Sequence, residues 1–134
     1  MKNQKINFES YLKNFDYQER KDMKIQIPEL LELYKKNLVQ LIDIRFKEEY
    51  EAWNIGFGEH IPLNELPNRL DEIDKNKIVV TMCPHYDRSS IARLFLKLNG
   101  FNARYLTDGM LGFVDYLRGD KAKDWMDDIS NMRK

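Results

Sequence analysis

The sequence predicts an α/β domain with a mostly parallel central sheet and helices on both of its faces. Three observations carry that reading. Residues 38–44 (LVQLIDI) and 77–82 (KIVVTM) are nearly continuous apolar runs of strand length, the pattern of strands covered on both sides. Stretches of helical periodicity alternate with them, as crossovers between parallel strands require. The chain has 134 residues, a length that suits one domain.

Taken in order, residues 5–17 place Phe8, Tyr11, Leu12 and Phe15 on one helical face. Residues 23–27 form a short strand candidate, and Pro28 then opens a helix over 28–36, with Leu30, Leu31 and Tyr34 on its inner face. After the 38–44 strand come short helices over 46–52 and 64–72, and then the 77–82 strand. Ser89 or Ser90 is suited to cap the next helix, where Ile91, Leu94, Phe95 and Leu98 recur at i, i+3, i+4 and i+7 before Asn99 and Gly100 end it. A strand over 103–106, a helix over 109–117 and a final amphipathic helix over 121–132, bearing Trp125, Met126, Ile129 and Met132, complete the chain. The organisation expected is an N-terminal helical extension (1–23), a central domain (24–119) and a C-terminal helix (120–134). The two outer helices are expected to cover their own domain, with a homodimer contact as the other use for them.

Composition narrows the function. The 22 basic and 22 acidic residues cancel, so the electrostatic footprint of a nucleic-acid or anionic-membrane binder is missing. No apolar run approaches bilayer length, and the opening MKNQKINFES lacks the apolar stretch of a secretory signal, which suggests a cytoplasmic protein. The single cysteine, Cys83, rules out an internal disulfide and a multi-thiolate zinc site. A metal site from Cys83, His85 and His60 would lack a fourth ligand, so no metal is expected.

Cys83 stands directly after the 77–82 strand, and the loop 83–88 leads to Ser89. In a parallel sheet, ligands bind beyond the carboxyl ends of the strands, where loop amides and the positive end of the next helix converge. Those dipoles, with Arg88, would favour thiolate over thiol and make Cys83 a nucleophile. A lone cysteine can also serve as a small core hydrophobe. Pro84, His85, Tyr86 and Asp87 would be an odd way to continue into a core.

The stretch CPHYDRS, a cysteine, four residues, an arginine and a serine, resembles the active-site loop of the rhodanese-like sulfurtransferase family. Further marks occur in the family's order: LIDIR with Asp43 and Arg45, then Glu49 and Tyr50, then Ile61, Pro62 and Leu63, and DGMLGF around Gly109. The resemblance covers residues 24–119 and implies a rhodanese-like fold with added N-terminal and C-terminal helices. It implies that Cys83 carries a persulfide, with Pro84, His85, Tyr86, Asp87, Arg88 and Ser89 as the loop that holds substrate. It assigns Asp43 and Arg45 to structural support through hydrogen bonds and an ion pair. The reaction implied needs no cofactor beyond the persulfide itself. Its partners are a small donor of the thiosulfate, 3-mercaptopyruvate or polysulfide class and a thiol acceptor, which can be a protein. Phosphatases and arsenate reductases of similar fold carry one more residue in this loop, and the shorter ring suits sulfur better than a tetrahedral oxyanion.

Three departures from the family pattern stand out. WNIGF replaces the usual Gly-His-Ile-Pro-Gly, putting Trp53 and Asn54 at the Gly-His pair. Tyr86 occupies a frequent glycine position, which raises the expectation of an unusual backbone angle. Asp87 places a negative charge beside the sulfur and disfavours anionic donors. Arg88 has two readings, a clamp on the donor's anionic part or a bridge to a carboxylate such as Asp43. His85 can act as acid or base or simply face solvent. Two other classes remain in view: a monothiol redox protein, which the position of the cysteine late in the chain opposes, and a binding module without catalysis.

Overall fold

The computed structural model describes residues 5–132. Its sheet has five strands, β1 (Lys24–Ile25), β2 (Val39–Asp43), β3 (Glu59–His60), β4 (Ile78–Met82) and β5 (Ala103–Leu106), in the order β1-β5-β4-β2-β3. Every pairing is parallel. The two runs read as central strands are central: β4 lies in the middle, with β2 beside it in register from Val39↔Ile78 to Asp43↔Met82. All five residues of β2 are buried.

The helices are α1 (Phe8–Lys13), α2 (Tyr17–Asp22), α3 (Ile27–Lys35), α4 (Lys47–Ala52), α5 (Asp87–Leu98), α6 (Gly109–Tyr116) and α7 (Asp120–Met132). Strand alternation divides the core between the two faces of the sheet. Leu41, Val80 and Met82 pack with Leu30, Met110, Phe113, Trp125 and Ile129 of α3, α6 and α7. On the other face Ile42, Val79 and Cys83 pack with Ala92 and Leu96 of α5 and with Leu66. Among the described residues no helix is long and apolar enough to cross a membrane.

Five features differ from the sequence reading. β3 is only two residues long and largely polar, too short to leave a periodic signal. The stretch expected as a helix over 64–72 is two 3₁₀ segments, Leu63–Asn68 and Leu70–Glu72, because Pro67 lacks the N–H that an α-helix would use. The N-terminal stretch is two helices, and of its expected apolar face only Tyr11 is buried, while Phe8, Leu12 and Phe15 remain exposed. In α7, Trp125 and Ile129 are buried, but Met126 and Met132 are exposed.

The fifth difference concerns α5. It begins at Asp87, two residues before the expected serine cap, and the Ser90 amide already donates to the Tyr86 carbonyl at 2.8 Å. Its buried face is Ser89, Ala92, Arg93 and Leu96, with Ile91 60% exposed. Small side chains let the helix approach β4 and β5 closely, and these carry little weight in an apolar pattern. Arg93, fully inside, runs against the pattern altogether.

Candidate active site

β4 ends at Met82, and the alternation of the strand turns the next side chain, Cys83, toward α5. Its thiol has no solvent-exposed surface. Carbon surrounds it on the core side, but polar groups approach from the loop side. The Ser89 amide donates to Sγ at 3.4 Å, Ser89 Oγ lies 3.5 Å away, and Asp87 Oδ1 lies 3.7 Å away. The Ser89 hydroxyl in turn donates to the Tyr86 carbonyl at 3.2 Å. Ser89 therefore addresses the sulfur from the third position of α5, where helix geometry leaves its amide without an intrahelical acceptor.

The loop is fastened from above by α6. Met110 N–H donates to the Cys83 carbonyl at 2.8 Å and Leu111 N–H to the Pro84 carbonyl at 3.2 Å. Gly109, at φ +66°, makes this approach possible, since a Cβ there would sit 2.3 Å from both the Pro84 and His85 carbonyl oxygens. Tyr86 sits at φ −148° and ψ −9°, outside the left-handed region that favours glycine, so its place at a frequent glycine position does not impose a positive φ. Its ring is exposed, 6.5 Å from that of Tyr105. His85 and Asp87 are exposed and Pro84 is half-buried.

Arg88 turns away from Asp43 and forks onto Glu49 of α4, with Nη1–Oε1 at 2.7 Å and Nη2–Oε2 at 2.9 Å. The hydrogen bonds from Arg88 hold the Glu49 carboxyl at about 2, against an ordinary 4.5, and the same bonds raise Arg88. Asp43 is paired instead with Arg45, both 1% exposed. Arg45 Nε lies 3.0 Å from Asp43 Oδ1, Arg45 Nη2 lies 2.8 Å from Oδ2, and the Arg45 amide donates to Oδ1. Arg45 also reaches the Trp53 carbonyl at 2.8 Å, with its guanidinium 4.5 Å from the centre of the Trp53 ring. Trp53 thus shields a buried ion pair, a role the family's glycine could not fill. Asn54 accepts from the Gly56 amide at 3.0 Å and donates to the Tyr50 carbonyl, forming the turn into Phe57. His60 Nε2 sits 2.8 Å from the Arg45 carbonyl and its ring stacks on Tyr50 at 4.2 Å. Among the described residues no cluster of three or more His, Cys, Asp or Glu side chains is arranged to hold a metal ion.

The Rhodanese-like domain family matches residues 26–116. The chain belongs to that family. Its relatives include the putative sulfur carrier protein YrkF of Bacillus subtilis (strain 168), 35% identical over an 81-residue alignment that covers 56% of this chain and 44% of that protein. The match thus spans less than half of YrkF. The uncharacterized protein YqhL of the same organism is 34% identical over 110 residues, 82% of this chain and 84% of that one. A rhodanese-like domain protein from Staphylococcus aureus superposes with a TM-score of 0.60 at 30% identity, over 65% of this rhodanese-like chain and 86% of that one.

The sequence reading missed two residues near this helix, Arg93 and Glu19. Arg93 gave no signal because its partners, Tyr11 and Glu19, lie more than seventy positions away. Glu49 was noticed as a family mark, but its pairing with Arg88 spans 39 positions and no local pattern encodes it.

Proposed function

We propose that this rhodanese-like protein is a sulfurtransferase or persulfide carrier working through Cys83. The Cys83 thiolate attacks the outer sulfur of a donor R–S–SH, the donor's S–S bond breaks, R–S⁻ leaves with the electron pair, and Cys83–S–SH remains. An acceptor thiolate then attacks the outer sulfur, takes it as a persulfide and returns Cys83 to the thiolate. No cofactor is needed. The observation that carries this reading is the setting of Sγ at the end of a central parallel strand, with the Ser89 amide donating to it from the N-terminal turn of α5. The name of YrkF, a sulfur carrier, supports it.

Each neighbour then has a part. The Ser89 amide supports negative charge on sulfur, the Arg88–Glu49 fork holds the loop's far end to α4, and the Asp43–Arg45 pair fixes the adjoining strand end. Residues 84–87 must yield for a donor to reach the enclosed thiol. That enclosure is also what favours a second reading, a binding module whose cysteine is only packing.

Intact mass separates the two. Incubation with polysulfide should add one sulfur atom, cyanide should remove it, and Cys83→Ser should gain none. A wild-type protein that gains no sulfur from polysulfide, thiosulfate or 3-mercaptopyruvate leaves the binding module standing.

A further inference from the structure

We propose that the loop selects its sulfur donor by charge, with Asp87 as the specificity-determining residue: donors with a cationic or neutral body are favoured over anions such as thiosulfate. The inference rests on the sulfur-transfer reading and names its donor class. A loop that accepts a small anion needs a cation free to meet it. Here both guanidinium groups at this rim are already engaged. Arg45 is buried against Asp43 at 2.8 Å. Arg88 has both terminal nitrogens on the two oxygens of Glu49, a geometry that satisfies charge and direction together. The charge lying closest to the sulfur is that of Asp87, exposed at the loop's end with Oδ1 3.7 Å from Sγ, while Arg88, whose charge also acts on Cys83 and Asp87, has its terminal nitrogens taken up by Glu49. Among the described residues Asp87 has no ion-pair partner.

The expected size follows from Coulomb's law. A unit charge about 6 Å from a carboxylate in water-like surroundings changes the encounter about threefold, and a dianion about tenfold. The effect shrinks as salt screens it. Two persulfides with the same reacting end and opposite tails isolate it: cysteamine persulfide, with an ammonium, and 3-mercaptopropionate persulfide, with a carboxylate. In both, the outer S–S bond breaks, the sulfur passes to Cys83 and the tail leaves as a thiolate, so no outside oxidant or reductant is required.

The test measures single-turnover loading of the full chain by mass. Wild-type protein should load from the cationic persulfide about tenfold faster than from the anionic one at low ionic strength, with the ratio narrowing at high salt. Asp87→Asn, or Asp87→Ser if the amide disturbs the helix start, should collapse the ratio and raise loading from thiosulfate about tenfold. Glu49→Gln, which frees Arg88, should shift the ratio toward the anionic donor. Equal loading from both persulfides, or a ratio unchanged in Asp87→Asn, overturns charge selection and leaves sulfur transfer intact. Loading from no donor at all overturns sulfur transfer itself, and charge selection with it.

Discussion

Glu49 carries a quantitative expectation about acid stability. Its carboxyl is held at about 2 against an ordinary 4.5, first of all by the hydrogen bonds from Arg88. A depression of that size corresponds to about 3.4 kcal/mol at most. The side chains are 34% exposed for Glu49 and 29% for Arg88, so solvent screens the pair and about 1–1.5 kcal/mol is the realistic share. The direction is set by which state holds the proton. The unfolded chain takes up its proton near 4.5 and the folded chain only near 2, so the contribution is complete above the first value and is lost as pH falls through the second.

Glu49→Gln removes that dependence. At neutral pH the variant should be less stable by about 1–1.5 kcal/mol, lowering Tm by roughly 3–6 °C for a chain of this size. The gap should begin to close below 4.5 and should disappear only as the pH falls through about 2, where the wild-type carboxyl itself takes up its proton. Urea unfolding at a series of pH values reads the difference directly, as a displaced midpoint with unchanged slope. A gap that stays constant across this acid range, or one that is absent at neutral pH, refutes the claim that an ionised Glu49 braces the loop.

Three further substitutions have defined outcomes. Asp43→Ala strands Arg45 as an unpaired buried charge and should cost about 3–5 kcal/mol, read as a large drop in Tm, whereas no change would show that the pair is dispensable. Gly109→Ala drives a Cβ into the Pro84 and His85 carbonyl oxygens at a positive φ, so it should lower Tm and alter sulfur loading at Cys83, and a neutral result would contradict the seating of α6 on the loop. Glu19→Gln leaves Arg93 without its carboxylate and should destabilise by about 3 kcal/mol, with faster amide exchange in α1 and α2 as the local signature.

What the sequence made legible was whatever a short window can hold. β2 and β4 announce themselves because strands buried on both faces need unbroken apolar residues, and the cysteine's place after β4 follows at once. β3 could not be seen, since Glu59 and His60 pair at the sheet's edge through backbone groups that any residue carries. The inner face of α5 was misjudged because Ser89 and Ala92 are chosen for size, and size at a close contact does not register as hydrophobicity. At the candidate site, the residues of the loop and the Asp43–Arg45 pair were identifiable, whereas the direction of Arg88 was not. Asp43 was the carboxylate the sequence suggested, and Glu49, 39 positions away, is the one Arg88 meets. Only the placement of α4 over the loop decides between them.

α5 links these observations into one support. Its first turn brings the Ser89 amide to the sulfur and Arg88 to α4. One turn further, Arg93 enters the interior at 2% exposure, where a guanidinium is tolerated only if its donors are met. The Ala103 carbonyl takes Nε at 2.9 Å, the Tyr11 hydroxyl takes Nη1 at 2.8 Å, and the Glu19 carboxylate takes Nη2. Tyr11 closes the triangle by donating to Glu19 at 2.7 Å. Two of those three partners come from α1 and α2, which lie before the family match at residues 26–116. The N-terminal helices therefore neutralise the charge at the centre of the helix that presents Ser89 to Cys83. A change at Glu19 should be felt at the loop through α5, without any contact between the two.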